Sequence, residues 1–222
     1  MPGEQAAVAW LQGSLPVAPA GQAWVGDDAA VVEGGLLLAI DSAVAGVHAP
    51  AGASGRELAY RAVVRNVSDI AAMGGRPVHL LVAVVGPAGT SIEALYGGVN
   101  EAAAEYGCVV VGGDIAAGPT LSITVAITGR CADGAPVLRS GARPGDSVWV
   151  TGPVGAAAAS GYTVRPVARV AAGEAVRRAG ATAMIDVSDG LFLDARRLAE
   201  ASGVGLAIDP AAVPVAAGAT FE

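Results

Sequence analysis

Eleven of the 222 residues are aspartate, and several stand where an apolar run meets glycine. Asp27 and Asp28 open the stretch VGDDAAVVEGGLLLAIDS and Asp41 closes it. Asp69 follows in RNVSDIAAMGG, Asp114 in VVVGGDIAAG, and Asp186 and Asp189 in MIDVSDG. The first stretch reads as a hairpin, two apolar runs joined by Gly34-Gly35, a doublet suited to the positive φ of a two-residue turn. With those glycines as the loop, Val31 faces Leu38, Ala29 faces Ile40 and Asp28 faces Asp41. Like charges set opposite each other on paired strands are destabilising. Two carboxylates so close must share a proton or a cation. Magnesium suits such a site, because it is a hard ion that takes carboxylate oxygens and bridges to phosphate.

Each aspartate also has an ordinary reading. Asp is favoured in turns and at helix N-caps. Asp189 is as much a cap as a ligand, Asp27 can bind nearby backbone, and Asp133 and Asp146 are turn residues. Asp69 is harder to dismiss, since a negative charge in the last turn of a helix opposes the macrodipole at a cost of ~0.3–1 kcal/mol. Its ordinary partner is Arg65, one turn back, in the weaker orientation for such a pair. The two histidines, His48 and His79, form no HxxxH or Cys/His cluster for zinc, and His79 reads as a core residue of an apolar strand. No GxSxG motif supports acyl transfer.

Composition narrows the chemistry further. All thirteen basic residues are Arg. Without lysine, a Walker-type phosphate loop, a kinase-type catalytic lysine and a Schiff base are excluded. A nucleotide would have to be held by Arg, backbone amides and metal ions. The net charge of −7 argues against nucleic acid as a partner. Hydrophobic residues make up 53%, yet no run reads as a bilayer span or a secretory signal. Cys108 and Cys131 have neither CxxC spacing nor a disulfide framework, so both are expected buried and inert in a reducing cytoplasm.

The elements that must position these residues follow from periodicity. Leu58, Ala59, Ala62, Val63, Val67, Ile70 and Ala71 recur at helical spacing over Gly55 to Met73, with Gly74-Gly75 as the stop. Val78 to Val85 reads as a buried strand and Ser91 to Tyr106 as a second helix. Cys108 to Val111 and Leu121 to Thr128 read as further strands. This order suggests helices packed on a mostly antiparallel sheet. A Gly, Pro and polar cluster near residue 135 marks a boundary between domains at 1–134 and 135–222. Beyond it, strands are expected at Ser147 to Thr151, Ala183 to Val187 and Gly205 to Ile208. Helices are expected at Ala168 to Arg178 and Leu191 to Ala201, after an alanine-rich helix start.

GDDAAVV, AIDSAVAGVH, AYRAVVRNVSDIAAMGGRP, YGCVVVGGDIAAGP, VLRSGARPGDSVWVTG and AMIDVSDGLFLDARRLAEASG stand in an order that resembles the thiamine-monophosphate kinases, from about Val25 to Ile208. The resemblance implies the two-domain α/β (α+β) fold of the aminoimidazole-ribonucleotide-synthetase-like superfamily, whose N-terminal sheet pairs across a homodimer. It implies ATP and several Mg²⁺ between domains, and conversion of thiamine monophosphate to thiamine diphosphate. By motif, Asp28, Asp41, Asp69, Asp114, Asp186 and Asp189 correspond to magnesium ligands, with Asp41, Asp69 and Asp114 central to catalysis. Tyr96, Gly113, Asp114, Arg139 and Ser188 correspond to ATP contacts, and His48 to a substrate contact. The sequence departs from the family at Ala39-Ile40, where Ser-Thr is usual, and at Ala49, where an aromatic is common. It is shorter between Thr151 and Asp186 and stops before a GGEDYEL-type motif, so the C-terminal domain is expected to be incomplete. Two alternatives remain open at this stage. One is another ATP-dependent enzyme of the superfamily, and the other a catalytically impaired ATP-binding or dimerisation protein.

Overall fold

The computed structural model describes residues 4–50 and 52–219. Five strands form one sheet in the order β1-β2-β5-β3-β4: β1 (Ala30–Val32), β2 (Leu36–Val44), β3 (Arg76–Gly86), β4 (Val109–Ala117) and β5 (Ser122–Arg130). All pairings are antiparallel except β3 with β4, whose parallel register is joined by the crossover helix α3 (Ile92–Tyr106). The mixed α/β architecture expected from the sequence is therefore present.

One face of the sheet is buried. Leu37 and Ala43 of β2, Leu80, Val82 and Val84 of β3, and Ile123, Val125 and Ile127 of β5 lie on alternate positions beneath α2 (Gly55–Ala72) and α3. Helix α2 starts at Ser54, whose hydroxyl accepts the Glu57 amide at 3.2 Å, a cap contact typically worth ~1 kcal/mol. It buries Leu58, Ala62, Val63, Val67 and Ile70 at helical spacing and stops where Gly74 takes a left-handed φ of 72°. Asp69 thus sits in the last turn, as expected.

The opposite face is open. Leu38, Ile40, Leu81, Val85, Val109 and Val111 are exposed, Ile40 by 70%. Leu38, Ile40, Leu81 and Val111 line one shallow groove there with His79 and Thr128. His79 is not the core residue expected from its apolar strand, because alternation turns it outward, where its ring meets the Thr128 hydroxyl at 3.2 Å.

Three further expectations need correction. The hairpin turn is not the Gly34-Gly35 pair alone. Glu33–Gly35 forms a 3₁₀ turn with Gly34 at φ 73° and Gly35 at φ 70°, and the ladder pairs Ala30 with Leu38 and Val32 with Leu36. The extra loop residue moves the register by one, and β1 begins only at Ala30, so Asp28 is not a ladder partner of Asp41. Strand β4 runs on to Ala117, which puts Gly112, Gly113 and Asp114 inside the strand rather than at its end. Beyond residue 131 the expected strands at 147–151, 183–187 and 205–208 do not form: these segments have no ladder partner among the described residues. An alternating apolar pattern fixes which side chains could be buried, not whether another strand is there to receive the backbone hydrogen bonds. What forms is helical: α4 (Ala156–Ala159), α5 (Val170–Arg178) and α6 (Leu191–Ser202), with α5 packed on α2. Helix α1 (Glu4–Ser14) has no counterpart among the expected elements. Among the described residues no helix is long and apolar enough to cross a membrane.

Candidate active site

Three carboxylates from distant parts of the chain converge. Asp28 lies in the segment leading into β1, Asp69 in the last turn of α2, and Asp186 in the loop before α6. Each offers an oxygen within 4.8 Å of the others. Their surroundings differ, and the differences decide their charge.

Asp28 has a side chain only 1% exposed and a two-pronged contact with Arg139, at 2.6 Å from Nη2 to Oδ1 and 3.3 Å from Nε to Oδ2. Burial nevertheless raises its pKa to about 7, with Asp186 and Asp27 adding to the rise while Arg139 opposes it. Asp69 is the extreme case. Burial, then the charges of Asp186, Asp28 and Asp41, push its pKa up to about 9, and Arg65 offsets only part of this. No hydrogen-bond donor reaches its carboxylate among the described residues. Asp186 accepts the Ser68 hydroxyl at 2.9 Å and is also raised, chiefly by burial. A buried carboxylate without a donor is costly to ionise, and of the three this applies to Asp69. A hard cation relieves the same repulsion with the same oxygens.

The rim is built from pairs that sequence spacing did not reveal. Arg65 is not the partner of Asp69: its Nε lies 2.6 Å from Oδ2 of Asp41, on the neighbouring β2. Asp41 projects from the helix-facing side of β2, opposite the buried Val125, and its charge still reaches Asp69. Asp27 binds backbone as its ordinary reading has it, accepting the amides of Asp28 at 3.0 Å and Arg139 at 2.9 Å. Asp133 pairs with Arg177, and Asp146 accepts the Arg143 amide and the Thr182 hydroxyl. Cys108 is buried and Cys131 half-buried, and burial raises the pKa of both thiols.

Residues 26–131 match the family described as AIR synthase related protein, N-terminal domain. The chain is 35% identical over 224 residues to the thiamine-monophosphate kinase of Corynebacterium glutamicum, covering 87% of this chain and 68% of that one. It is 34% identical over 201 residues to that of Methanospirillum hungatei, covering 85% and 70%. The chain belongs to the thiamine-monophosphate kinase family. The solved structure of AaThiL complexed with AMPPCP and TMP superposes with a TM-score of 0.82 at 32% identity, covering 90% of this chain and 71% of that one.

In this member of the thiamine-monophosphate kinase family, Ser188 hydrogen-bonds Asp186 of the cluster, and the other candidates stand on different elements. Asp114 is exposed on β4 and lines an open groove with Tyr96, Val110, Gly112, Gly113 and Ile115. Gly113 is required there by close approach: a Cβ at this position would lie 1.9 Å from the Val82 carbonyl oxygen of β3. His48 accepts the Val44 amide on Nδ1 at 3.0 Å, which fixes its ring in the turn after β2. Asp189 is half exposed and held by Arg197 at 2.6 Å, so the geometry favours neither its cap reading nor its place in the cluster.

Helix α6 forms where the sequence predicts it, over Leu191–Ser202. The amides of Ser188, Asp189 and Gly190, which stand at its start, are not open to a phosphate. All three donate to Oδ2 of Asp194, a residue sequence reasoning passed over. The signal was present as an acid in the first turn after SDG, followed by Arg197 three residues on.

Proposed function

We propose that this chain transfers the terminal phosphoryl group of ATP to the phosphate of thiamine monophosphate, giving thiamine diphosphate and ADP. The convergence of Asp28, Asp69 and Asp186 is the observation that carries this reading. Family membership supports the acceptor, as does AaThiL, which holds AMPPCP, an ATP analogue, together with TMP. Asp28, Asp69 and Asp186 fit Mg²⁺ because they offer hard oxygens whose mutual repulsion no arginine fully offsets. Asp41, Asp114 and Asp189 would be further ligands if side chains rearranged. A Mg²⁺ ion held by Asp28, Asp69 and Asp186 would supply positive charge against the two phosphate groups that must meet.

The protein's own part is positioning. A phosphate monoester has a second pKa near ~6, so the acceptor is already an anion at neutral pH and needs no base to remove a proton. One of its oxygens attacks the γ-phosphorus in line as the bond to ADP breaks. Tyr96, Gly113 and Asp114, which share the β4 groove, are placed to meet the nucleotide. Ser188 is a further contact, and His48 a contact to the acceptor. Arg139, now bound to Asp28, is the fixed positive charge for ATP in a chain without lysine.

We also assign the open apolar face of the sheet to pairing with a second copy, since Leu38, Ile40, Leu81 and Val111 form a patch that a lone subunit leaves in water. In this assignment residues 1–134 carry nucleotide binding and dimerisation, and residues 135–222 bring Asp186 to the cluster. The deciding experiment incubates the protein with ATP, Mg²⁺ and thiamine monophosphate and measures thiamine diphosphate chromatographically. Product is expected with the native chain and none with Asp69→Asn. Full turnover in that variant would overturn the metal assignment, and transfer only to another acceptor would overturn the substrate.

A further inference from the structure

Asp194 is the most constrained charged side chain outside the cluster. It stands in the first turn of α6, yet its side chain is turned back and 1% exposed. Oδ2 accepts the amides of Ser188, Asp189 and Gly190 at 3.0, 3.0 and 3.1 Å. Oδ1 accepts Nη1 of Arg197 at 2.8 Å, and the same nitrogen holds Asp189 at 2.6 Å. This is not an ordinary N-cap, in which a residue before the helix binds amides of its first turn. Here the cap position is Gly190, which has no side chain to offer, and the acid reaches back to gather the incoming loop.

That loop is the one that carries Asp186. Between the Met184 amide, bonded to Leu138 O at 3.0 Å, and Gly190, it is held at three places among the described residues: Ser68 on Asp186, Arg197 on Asp189, and the three amides on Asp194. Asp186 has to be held against the repulsion of Asp28 and Asp69, and against the charge of Asp194 itself, so the backbone behind it must be fixed. A single charged oxygen receiving three converging amides does this, because charge-assisted hydrogen bonds are the strong ones and their geometry is fixed by the covalent loop. We propose that Asp194, steadied by Arg197, is a positioning residue that presents Asp186 to the cation site. The inference rests on the reading of Asp28, Asp69 and Asp186 as that site.

The acid itself is required. In Asp194→Asn the carboxamide oxygen can still face the three amides, but its NH₂ then meets the Arg197 guanidinium, donor against donor. Binding of Mn²⁺, used as a paramagnetic probe for Mg²⁺, is measured on the whole chain without nucleotide by electron paramagnetic resonance, and amide exchange is followed at Ser188 to Gly190. Asp194→Asn is expected to weaken Mn²⁺ binding at least tenfold, to speed exchange of those amides, and to raise the metal concentration for half-maximal turnover while KM for ATP at saturating metal changes less than twofold. Asp194→Glu, which restores the charge, should recover part of the affinity. If Asp194→Asn fails to fold, Arg197→Gln decides, as a loss of two- to fivefold is expected from removing the brace alone. Unchanged Mn²⁺ affinity in Asp194→Asn, or in Arg197→Gln where only that variant folds, overturns the proposal. Asp186→Asn separates this from the underlying site reading: if it binds Mn²⁺ like the native chain, the site is wrong, whereas if it alone loses binding, the site stands and the positioning role falls.

Discussion

Among the described residues no hydrogen bond reaches the Asp69 carboxylate, which lies among three other acids, and its behaviour with pH follows from that. Its pKa of about 9, and that of about 7 for Asp28, are above the unfolded values, so the native state binds more protons than the unfolded chain between roughly pH 4 and pH 9. The stability this contributes is fully present below the unfolded pKa and is lost as pH rises through the folded one. In the absence of divalent ions, thermal unfolding should therefore occur at lower temperature at pH 9 than at pH 6, and Mg²⁺ should restore the difference at the higher pH. Asp69→Asn removes the repulsion and is expected to stabilise the metal-free protein at pH 8 by on the order of 1–3 kcal/mol while abolishing turnover. Denaturant titration with a parallel activity assay checks both. A variant less stable than the native chain would mean that Asp69 has a partner the geometry does not show. Asp41, half exposed in its pair with Arg65, should matter less to stability: Asp41→Asn is expected to cost under about 1 kcal/mol.

Elements hold these residues in place, and β3 against β4 is the tightest junction near the candidate nucleotide groove. Gly113→Ala drives a methyl group toward the Val82 carbonyl, and an overpacking cost of about 1–3 kcal/mol is expected, together with weaker nucleotide binding, both measurable by calorimetry. Helix α2 and strand β3 were legible in the sequence because helical and alternating patterns there coincide with real neighbours, whereas α1 was missed. The helix over Gly55 to Met73 and the strand over Val78 to Val85 lie within a residue or two of what forms. The hairpin register was not legible. Gly-Gly announces a turn, but whether Glu33 joins it is set by packing, and one residue more moves every cross-strand partner. Spacing alone paired Asp28 with Asp41; grouping Asp28 with Asp69 and Asp186 came from the resemblance of the motifs. Arg65 on Asp41 and Asp194 beneath the SDG loop could not be anticipated, because both pairings depend on which elements become neighbours.

At the scale of the whole molecule, the sheet is covered on one side only. If the open side meets a second copy, Ile40→Asp places a charge in the middle of that contact and should leave the chain monomeric in light scattering, with the native chain dimeric at the same concentration. A native chain that scatters as a monomer at tens of micromolar would refute the assignment. The three-carboxylate cluster draws on the approach to β1, the end of α2 and the loop before α6, so it exists only when the sheet and the helical part beyond residue 131 are both folded. Divalent ions are accordingly expected to protect both parts together in amide exchange rather than one alone.

Trp149 stands in the unladdered segment 147–151 with 87% of its surface in water, whereas Trp24 is partly buried and bonded through its ring nitrogen to Gln22. The indole at 149 is therefore a natural fluorophore that reports on whatever covers that segment. Contact there would shift its emission toward the blue and shield it from iodide, and subtracting the spectrum of Trp149→Phe isolates that signal without any attached dye.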